Sequence, residues 1–301
     1  MQKRIYFLPA FIVVFTLLLI GTFLDLQISQ AIAVNGNYFT KIFAAFANVP
    51  FSITLCVFAA FFFKLAREFY KKKWQKILLI VFSFIAVFSA IYLFGSGLTS
   101  YHAFCLDSKL WYLLGLVIVV PAFILGLYLY KYMNDKFLVR NIVIVLIATL
   151  FCVLTMEGLK MLAPRVRYTC VSQMKNGLNF YRPWYCPNLT EEEIKTVKDW
   201  ATANPLMGGE EHKSWPSGHS NIALTSSFIL MFFPRMMKKD NLVKYQVYFF
   251  YGGFIYFLLI AFSRVFGGAH YLSDTMFSGT FAIMVYFIAN EIYLTYFNQK
   301  Q

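Results

Sequence analysis

Apolar residues in this chain fall in long unbroken runs, not in the alternating or three-four spacing that buries one face of a soluble element. Eight such runs stand out, at about 5–24, 50–67, 77–98, 111–131, 141–158, 219–234, 246–263 and 275–296. Each approaches or reaches the length a helix needs to cross the hydrocarbon core of a bilayer. Short polar connections separate most of them, and there is no internal repeat, coiled-coil heptad or low-complexity tract. The pattern predicts an all-α, polytopic transmembrane helical bundle of about eight spans, with no soluble domain.

Two polar stretches are longer than a connection requires. The segment 168–214 is an insertion in which "TEEEIKTVKDW" has Thr190 followed three residues later by Glu193, with Ile194, Val197 and Trp200 at helical spacing. That is a capping-box start to a short amphipathic helix. The segment 25–48 mixes Asp25, Asn35, Asn37 and Lys41 with "IFAAFA" and predicts a second short helix at the membrane interface.

Composition agrees with the pattern, since 59% of the 301 residues are hydrophobic and only 14% are charged. A net charge of +13 is unusual for such a chain. Nucleic-acid binding would explain it only with a basic stripe in a soluble segment, and none is present. The basic residues instead alternate with the spans as the positive-inside rule requires. Lys3 and Arg4, the stretch Lys64 to Lys76, then Lys131, Lys136 and Arg140, and finally Arg235, Lys238, Lys239 and Lys244 fall on one side. With an even number of spans, both termini are expected in the cytoplasm and the insertion 168–214 on the outer face. The first run is too long for a cleaved signal and reads as an anchor. Cys105, Cys170 and Cys186 then lie in outer loops, where a Cys170–Cys186 disulfide competes with two free thiols.

This topology brings three patches of ionisable residues to the same outer face. "KMLAPRVR" carries Lys160, Arg165 and Arg167; "SWPSGHS" carries Trp215, Ser217, Gly218 and His219; "SRVFGGAHYLSD" carries Arg264, His270 and Asp274. Any one of them has an ordinary structural explanation, in snorkelling side chains or a helix start. Together they supply what phosphoryl transfer needs: cations for a dianion, a nucleophile in line with phosphorus, and an acid for the departing oxygen. Lys160, Arg167 and Arg264 are the cations, and the start of the sixth span offers backbone N–H groups at Ser217 and Gly218. If the last helix begins near Ala269, His270 and Asp274 stand at i and i+4, so that Asp274 accepts one ring N–H and frees the other nitrogen to attack. His219 is then the general acid. Glu157, three residues before Lys160, either pairs with it or tunes it, and Trp215 either belongs to an interfacial belt or lines the site. No residue set has metal-ligand spacing, so no cofactor or metal is expected.

These three patches resemble the signatures of the type 2 phosphatidic acid phosphatase superfamily, the membrane relatives of the acid phosphatase and vanadium haloperoxidase group. The second and third match in full. In the first, the family has proline after its arginine, whereas Tyr168 follows Arg167 here, which leaves Arg165 as an alternative occupant. The resemblance implies that Lys160, Arg167, Ser217, Gly218 and Arg264 bind phosphate, that His219 acts as acid, and that His270 is phosphorylated with Asp274 orienting it. It also implies a six-helix phosphatase core with an added N-terminal helix pair, so that 1–140 holds N-terminal transmembrane helices including that pair and 141–301 is the catalytic region with the outer insertion 168–214. The expected activity is metal-independent hydrolysis of a lipid phosphomonoester or diphosphate at the cell membrane, on the non-cytoplasmic face. The lipid bilayer and a lipid phosphate are the expected partners, and the oligomeric state is open. A phosphotransferase using the same site and an anion-binding transporter are the competing expectations.

Overall fold

In the computed structural model, which describes residues 7–34, 38–99, 108–204, 211–238 and 240–296, the regular structure of the described residues is helical apart from two isolated bridges. The long helices follow the apolar runs closely. They are α1 (Phe7–Ile32), α3 (Val49–Glu68), α4 (Lys73–Thr99), α5 (Ser108–Tyr130), α6 (Asp135–Leu162), α9 (Gly218–Met236), α10 (Gln246–Phe266) and α11 (Leu272–Tyr296). The short ones are α2 (Tyr38–Phe46) and, within the insertion, α7 (Tyr168–Gln173) and α8 (Glu191–Ala203).

Seven helical stretches among the described residues are long and apolar enough to cross a membrane, making this a multi-pass membrane protein. The sixth predicted span, α9, is not among them, because Ser220, Asn221, Thr225, Ser226 and Ser227 dilute its hydropathy. Those side chains are all buried, and of the large apolar residues of α9 only Leu230 is exposed. A helix enclosed by protein can carry hydroxyls, since its polar groups find partners there instead of meeting lipid.

The chain divides into two compact units. One comprises residues 45–147 and 225–254. Within it α3, α4 and α5 pack on one another, with Cys56, Ala90, Val119 and Ala122 buried between them and Ser83 Oγ donating to the Ala59 carbonyl at 2.8 Å. Its basic turns meet, since Asn134 N donates to Met236 O and Lys238 N to Tyr132 O, both at 2.8 Å.

The other unit comprises residues 1–44, 148–224 and 255–301, and contains all three charged patches. Here α1 runs antiparallel to α11, with Phe7 against Phe287 at one end and Gly21 against Ser273 at the other. A Cβ on Gly21 would lie 2.7 Å from the backbone nitrogen of Ser273, so only glycine permits this approach. Thr149 on α6 and Tyr286 on α11 share a buried hydrogen bond of 2.7 Å, the kind of polar contact that joins helices inside a membrane.

One expectation about the first span needs correction. The first span does not stop before Asp25, because α1 continues to Ile32 and buries Asp25 on the stripe Phe7, Ala10, Val14, Leu18, Gly21, Asp25, Ser29. That spacing of three and four is the inward face of one continuous helix. Of the two alternatives for Cys170 and Cys186, the free thiols are the ones found, Cys170 buried and Cys186 exposed. Cys170 belongs to a small core with Val166, Val171, Met174 and Val197, and burial pushes its thiol up to about 12. The capping box at α8 forms as expected, Thr190 and Glu193 each accepting from the other's backbone N–H. Lys3, Arg4, His102, Cys105 and Lys239 lie outside the described residues.

Candidate active site

Backbone pairing draws the three patches together before any side chain is considered. Residues 165–167 zip onto 211–214, with Arg165 N donating to His212 O at 2.9 Å, Arg167 N to Glu211 O at 2.8 Å, and Ser214 N to Arg165 O at 2.8 Å. That pairing carries the first patch to the approach of α9. The second patch meets the third where Ser217 N donates to the carbonyl of Asp274 at 3.2 Å. At the start of α9, Ser217 Oγ accepts from Ser220 N at 3.4 Å and lies 3.0 Å from the Ser220 hydroxyl, an N-cap arrangement.

The turn between α10 and α11 is a Schellman motif. Ala269 N donates to Arg264 O at 3.1 Å and Gly268 N to Val265 O at 2.9 Å, while Gly268 takes a left-handed φ of 64°. The expected helix start at Ala269 is therefore replaced by this turn, and α11 begins at Leu272. His270 precedes that helix, 2% exposed, with its backbone N also donating to Arg264 O at 3.3 Å.

The partner of His270 differs from the one its spacing indicated. Nδ1 lies 2.6 Å from the carbonyl oxygen of Ser214 and 3.8 Å from Asp274 Oδ2. At the longer distance Asp274 acts on the ring as a charge and not as a hydrogen-bond acceptor. A carbonyl only accepts, so Nδ1 carries the proton and Nε2 is the unprotonated nitrogen. Burial, reinforced by Arg264 and Arg167 and opposed by Asp274, pushes His270 down to about 4, so the ring is neutral at physiological pH.

Asp274 is instead the partner of Arg165. Its Oδ1 accepts from Arg165 Nη1 at 2.5 Å, and its Oδ2 accepts from Ser214 Oγ at 2.5 Å and Tyr271 N at 2.9 Å. Arg165 is fully buried, and its other donors are taken by Asp25 Oδ2 at 2.9 Å and the Arg182 carbonyl at 2.8 Å, with Tyr271 stacked 4.0 Å from its guanidinium. Burial opposes its charge, but the Asp274 and Asp25 carboxylates outweigh it and hold the guanidinium protonated above its ordinary value. Arg165 thus cannot substitute for Arg167 as a phosphate ligand, because its whole fork is committed inside the protein.

Lys160 reaches the start of α9. A Cβ on Gly218 would sit 2.8 Å from Lys160 Nζ, so the glycine makes the room that the ammonium occupies. Glu157 pairs with Lys160 at 2.6 Å from the more exposed side. His219, half-buried at the second position of α9, feels the charges of Arg264, His270, Lys160 and Arg167. Trp215 is buried against Trp184 and Phe277, whose ring centroids lie 6.1 and 4.8 Å away, and Trp184 Nε1 donates to Thr22 Oγ1 on α1 at 2.9 Å. Among the described residues, no group of three or more His, Cys, Asp or Glu side chains is arranged to hold a metal ion.

The PAP2 superfamily model matches residues 142–298, the stretch that carries both histidines and the cations around them. The chain belongs to the PAP2 superfamily. Membership carries phosphatase activity on phosphate esters, and all three signature patches lie inside the matched region. Comparison with curated proteins and with solved structures gave no match. Four residues of the site were not anticipated from the superfamily pattern: Asp25, which lies outside the matched region, and Ser214, Ser273 and Arg182, which lie within it. For Asp25 the signal was its place on the buried stripe of α1. Ser214 acts through its carbonyl as well as its hydroxyl, and the carbonyl carries no trace in the sequence.

Proposed function

We propose that this protein is a lipid phosphate phosphatase that works through a phosphohistidine on His270, without a metal. The observation that carries the reading is the hydrogen bond from His270 Nδ1 to the Ser214 carbonyl, which leaves Nε2 as the nucleophile beside Arg264 and Arg167.

In the first step the Nε2 lone pair attacks phosphorus and the P–O bond to the lipid breaks. The electron pair moves onto the leaving oxygen, which His219 protonates. In the second step His219 takes a proton from water, the water oxygen bonds to phosphorus, and the P–N pair returns to Nε2. The products are the dephosphorylated lipid and inorganic phosphate. Lys160, Arg167 and Arg264 hold the equatorial oxygens, with Ser217 and Gly218 at the head of α9 beside them. His270 keeps its Nδ1 proton on Ser214 throughout, and Asp274 offsets the positive charge that the phosphorylated ring acquires.

A lipid substrate follows from the setting, because a site framed by the ends of membrane helices meets headgroups while the tails stay in the bilayer. Phosphatidic acid, phosphatidylglycerol phosphate, undecaprenyl diphosphate and lipid A phosphates share that chemistry. The site is assigned to the non-cytoplasmic face, with both termini cytoplasmic. The meeting of the basic turns at 131–134 and 236–238 supports this, since both turns carry cytoplasmic-type charge.

The test uses the full-length protein in detergent with the four lipids, with and without EDTA. Phosphate release from at least one lipid, unaffected by EDTA and abolished by His270→Ala with membrane insertion intact, is the expected result. With p-nitrophenyl phosphate, whose leaving group needs no acid, His219→Ala accumulates an acid-labile label on His270. Phosphate transport that persists after both histidines are removed, with no hydrolysis by the unaltered chain, would sink the enzyme reading.

A further inference from the structure

Asp25 is a carboxylate within a membrane-crossing helix, and such a group is retained only where it has partners and a use. Its partners all belong to the site. Oδ2 accepts from Arg165 Nη2 at 2.9 Å and from the Ser273 hydroxyl, and Oδ1 accepts from Ser273 N at 2.9 Å. Ser273 is the second residue of α11, so Asp25 satisfies one of the backbone donors that a helix start leaves open. Asp274 does the same for Tyr271 N. The short segment from His270 to Asp274 is therefore held from two sides, and α1 provides one of them.

The charge balance gives this arrangement a purpose beyond packing. One guanidinium faces two carboxylates, Asp25 and Asp274, all three almost wholly shielded from solvent. A single carboxylate would neutralise Arg165, so the second gives this buried trio a surplus negative charge, which offsets part of the positive field that Arg264 and Arg167 exert on His270. Excess charge at low dielectric is costly unless something positive appears near it. Phosphorylation of Nε2 creates such a charge, because Nδ1 keeps its proton and the ring becomes cationic.

We propose that Asp25, contributed by α1 from outside the matched superfamily region, is a positioning residue for the reaction. Acting through Arg165 and Ser273, it fixes Asp274 and supplies the surplus negative charge that stabilises phosphorylated His270. The proposal rests on the phosphohistidine reading above. It makes α1 a working part of the active site, and it means the superfamily's signature patches alone do not complete the catalytic unit of this chain.

Asp25→Asn tests it, since the amide keeps the shape and loses the charge. In the full-length protein in detergent, with the lipid of the four-lipid panel that it hydrolyses fastest as substrate, kcat falls by about 10- to 100-fold while KM stays within about twofold, as expected for a loss confined to the transition state. A second readout is the titration of His270 followed by NMR of 15N-histidine-labelled protein. Asp274, Arg264, Arg167 and His219 surround that ring and are unchanged in the variant, so removal of the Asp25 charge lowers the midpoint. Ser273→Ala, which keeps both carboxylates, lowers kcat by a smaller factor in the same direction and decides the matter if Asp25→Asn does not fold. Unchanged kcat per folded molecule, a loss in KM alone, or an unmoved His270 midpoint overturns the proposal. Absence of phosphate release by the unaltered protein would count against the phosphatase reading, while the His270 midpoint still judges Asp25.

Discussion

Arg165 Nη1 and Asp274 Oδ1 lie 2.5 Å apart in a part of the protein that excludes solvent from both. The pair holds the third signature patch against the first, and it keeps the Arg165 guanidinium engaged inside the protein.

Removing Arg165 would therefore damage the fold before it damaged the chemistry. Arg165→Ala leaves Asp25 and Asp274 buried without a counter-charge, a change that costs ~3–5 kcal/mol when one partner of a buried pair is lost. Arg165→Lys keeps the charge but offers no fork to reach Asp274, Asp25 and the Arg182 carbonyl together. Thermal unfolding in detergent should show a large drop for the alanine variant and a smaller one for lysine, with both losing at least about 10-fold in kcat.

Gly218→Ala probes the other end of the site. The added methyl group would fall 2.8 Å from Lys160 Nζ, which sits at the tip of a flexible side chain and can move away. The fold should survive, while Lys160 leaves the start of α9. A fall of about 10-fold or more in kcat/KM with an unchanged melting temperature is the expected outcome, measured on the best substrate of the lipid panel.

Much of this architecture was legible from hydropathy, because a helix facing lipid must be apolar along its whole length. The helices α3, α5 and α10 fall within a few residues of the runs that announced them. Asp25 was harder to place: a charge beside a long apolar run reads as the end of a span, and only the three-four stripe of α1 shows that the helix continues past it. The roles of Arg165 and Arg167, two residues apart, depend on which one turns inward, and no spacing rule separates them. His270 and Asp274 do stand four residues apart, but the Schellman turn removes His270 from the helix, and the Ser214 carbonyl takes the position their spacing had assigned to the carboxylate.

That turn yields a third prediction. Gly268 has a φ of 64°, which a residue with a Cβ adopts at a cost of roughly 1–2 kcal/mol. Gly268→Val should lower stability by at least that amount. It should also lower kcat, because Arg264 and His270 stand on the two sides of the turn. Gly252→Ala is the control: a Cβ there meets nothing within 4 Å, and both quantities should stay near those of the unaltered chain.

A fourth concerns pH. His270 is held at about 4 in the folded protein against an ordinary 6.5, so the folded state takes up its proton later than the unfolded state as pH falls. Stability is unaffected by this group above about pH 6.5 and declines as pH drops from there towards 4. At about 1.4 kcal/mol per pH unit, the loss across that window amounts to about 3 kcal/mol. His270→Gln should flatten this part of the stability profile. The proposed nucleophile stays unprotonated down to about pH 4, so kcat/KM for p-nitrophenyl phosphate, whose leaving group needs no acid from His219, should, once corrected for titration of the substrate phosphate, hold its value through pH 6 and fall only near pH 4.

The bond between Asp25 and the backbone of Ser273 joins residues 248 positions apart. During synthesis α1 enters the membrane long before α11 exists, carrying a carboxylate whose backbone partner has not yet been made. The site is therefore closed last, when the C-terminal hairpin arrives, and a nascent chain halted before that point has Asp25 and Arg165 but neither Ser273 nor Asp274 to complete the cluster. Completion of the active site and completion of membrane assembly are one event in this protein.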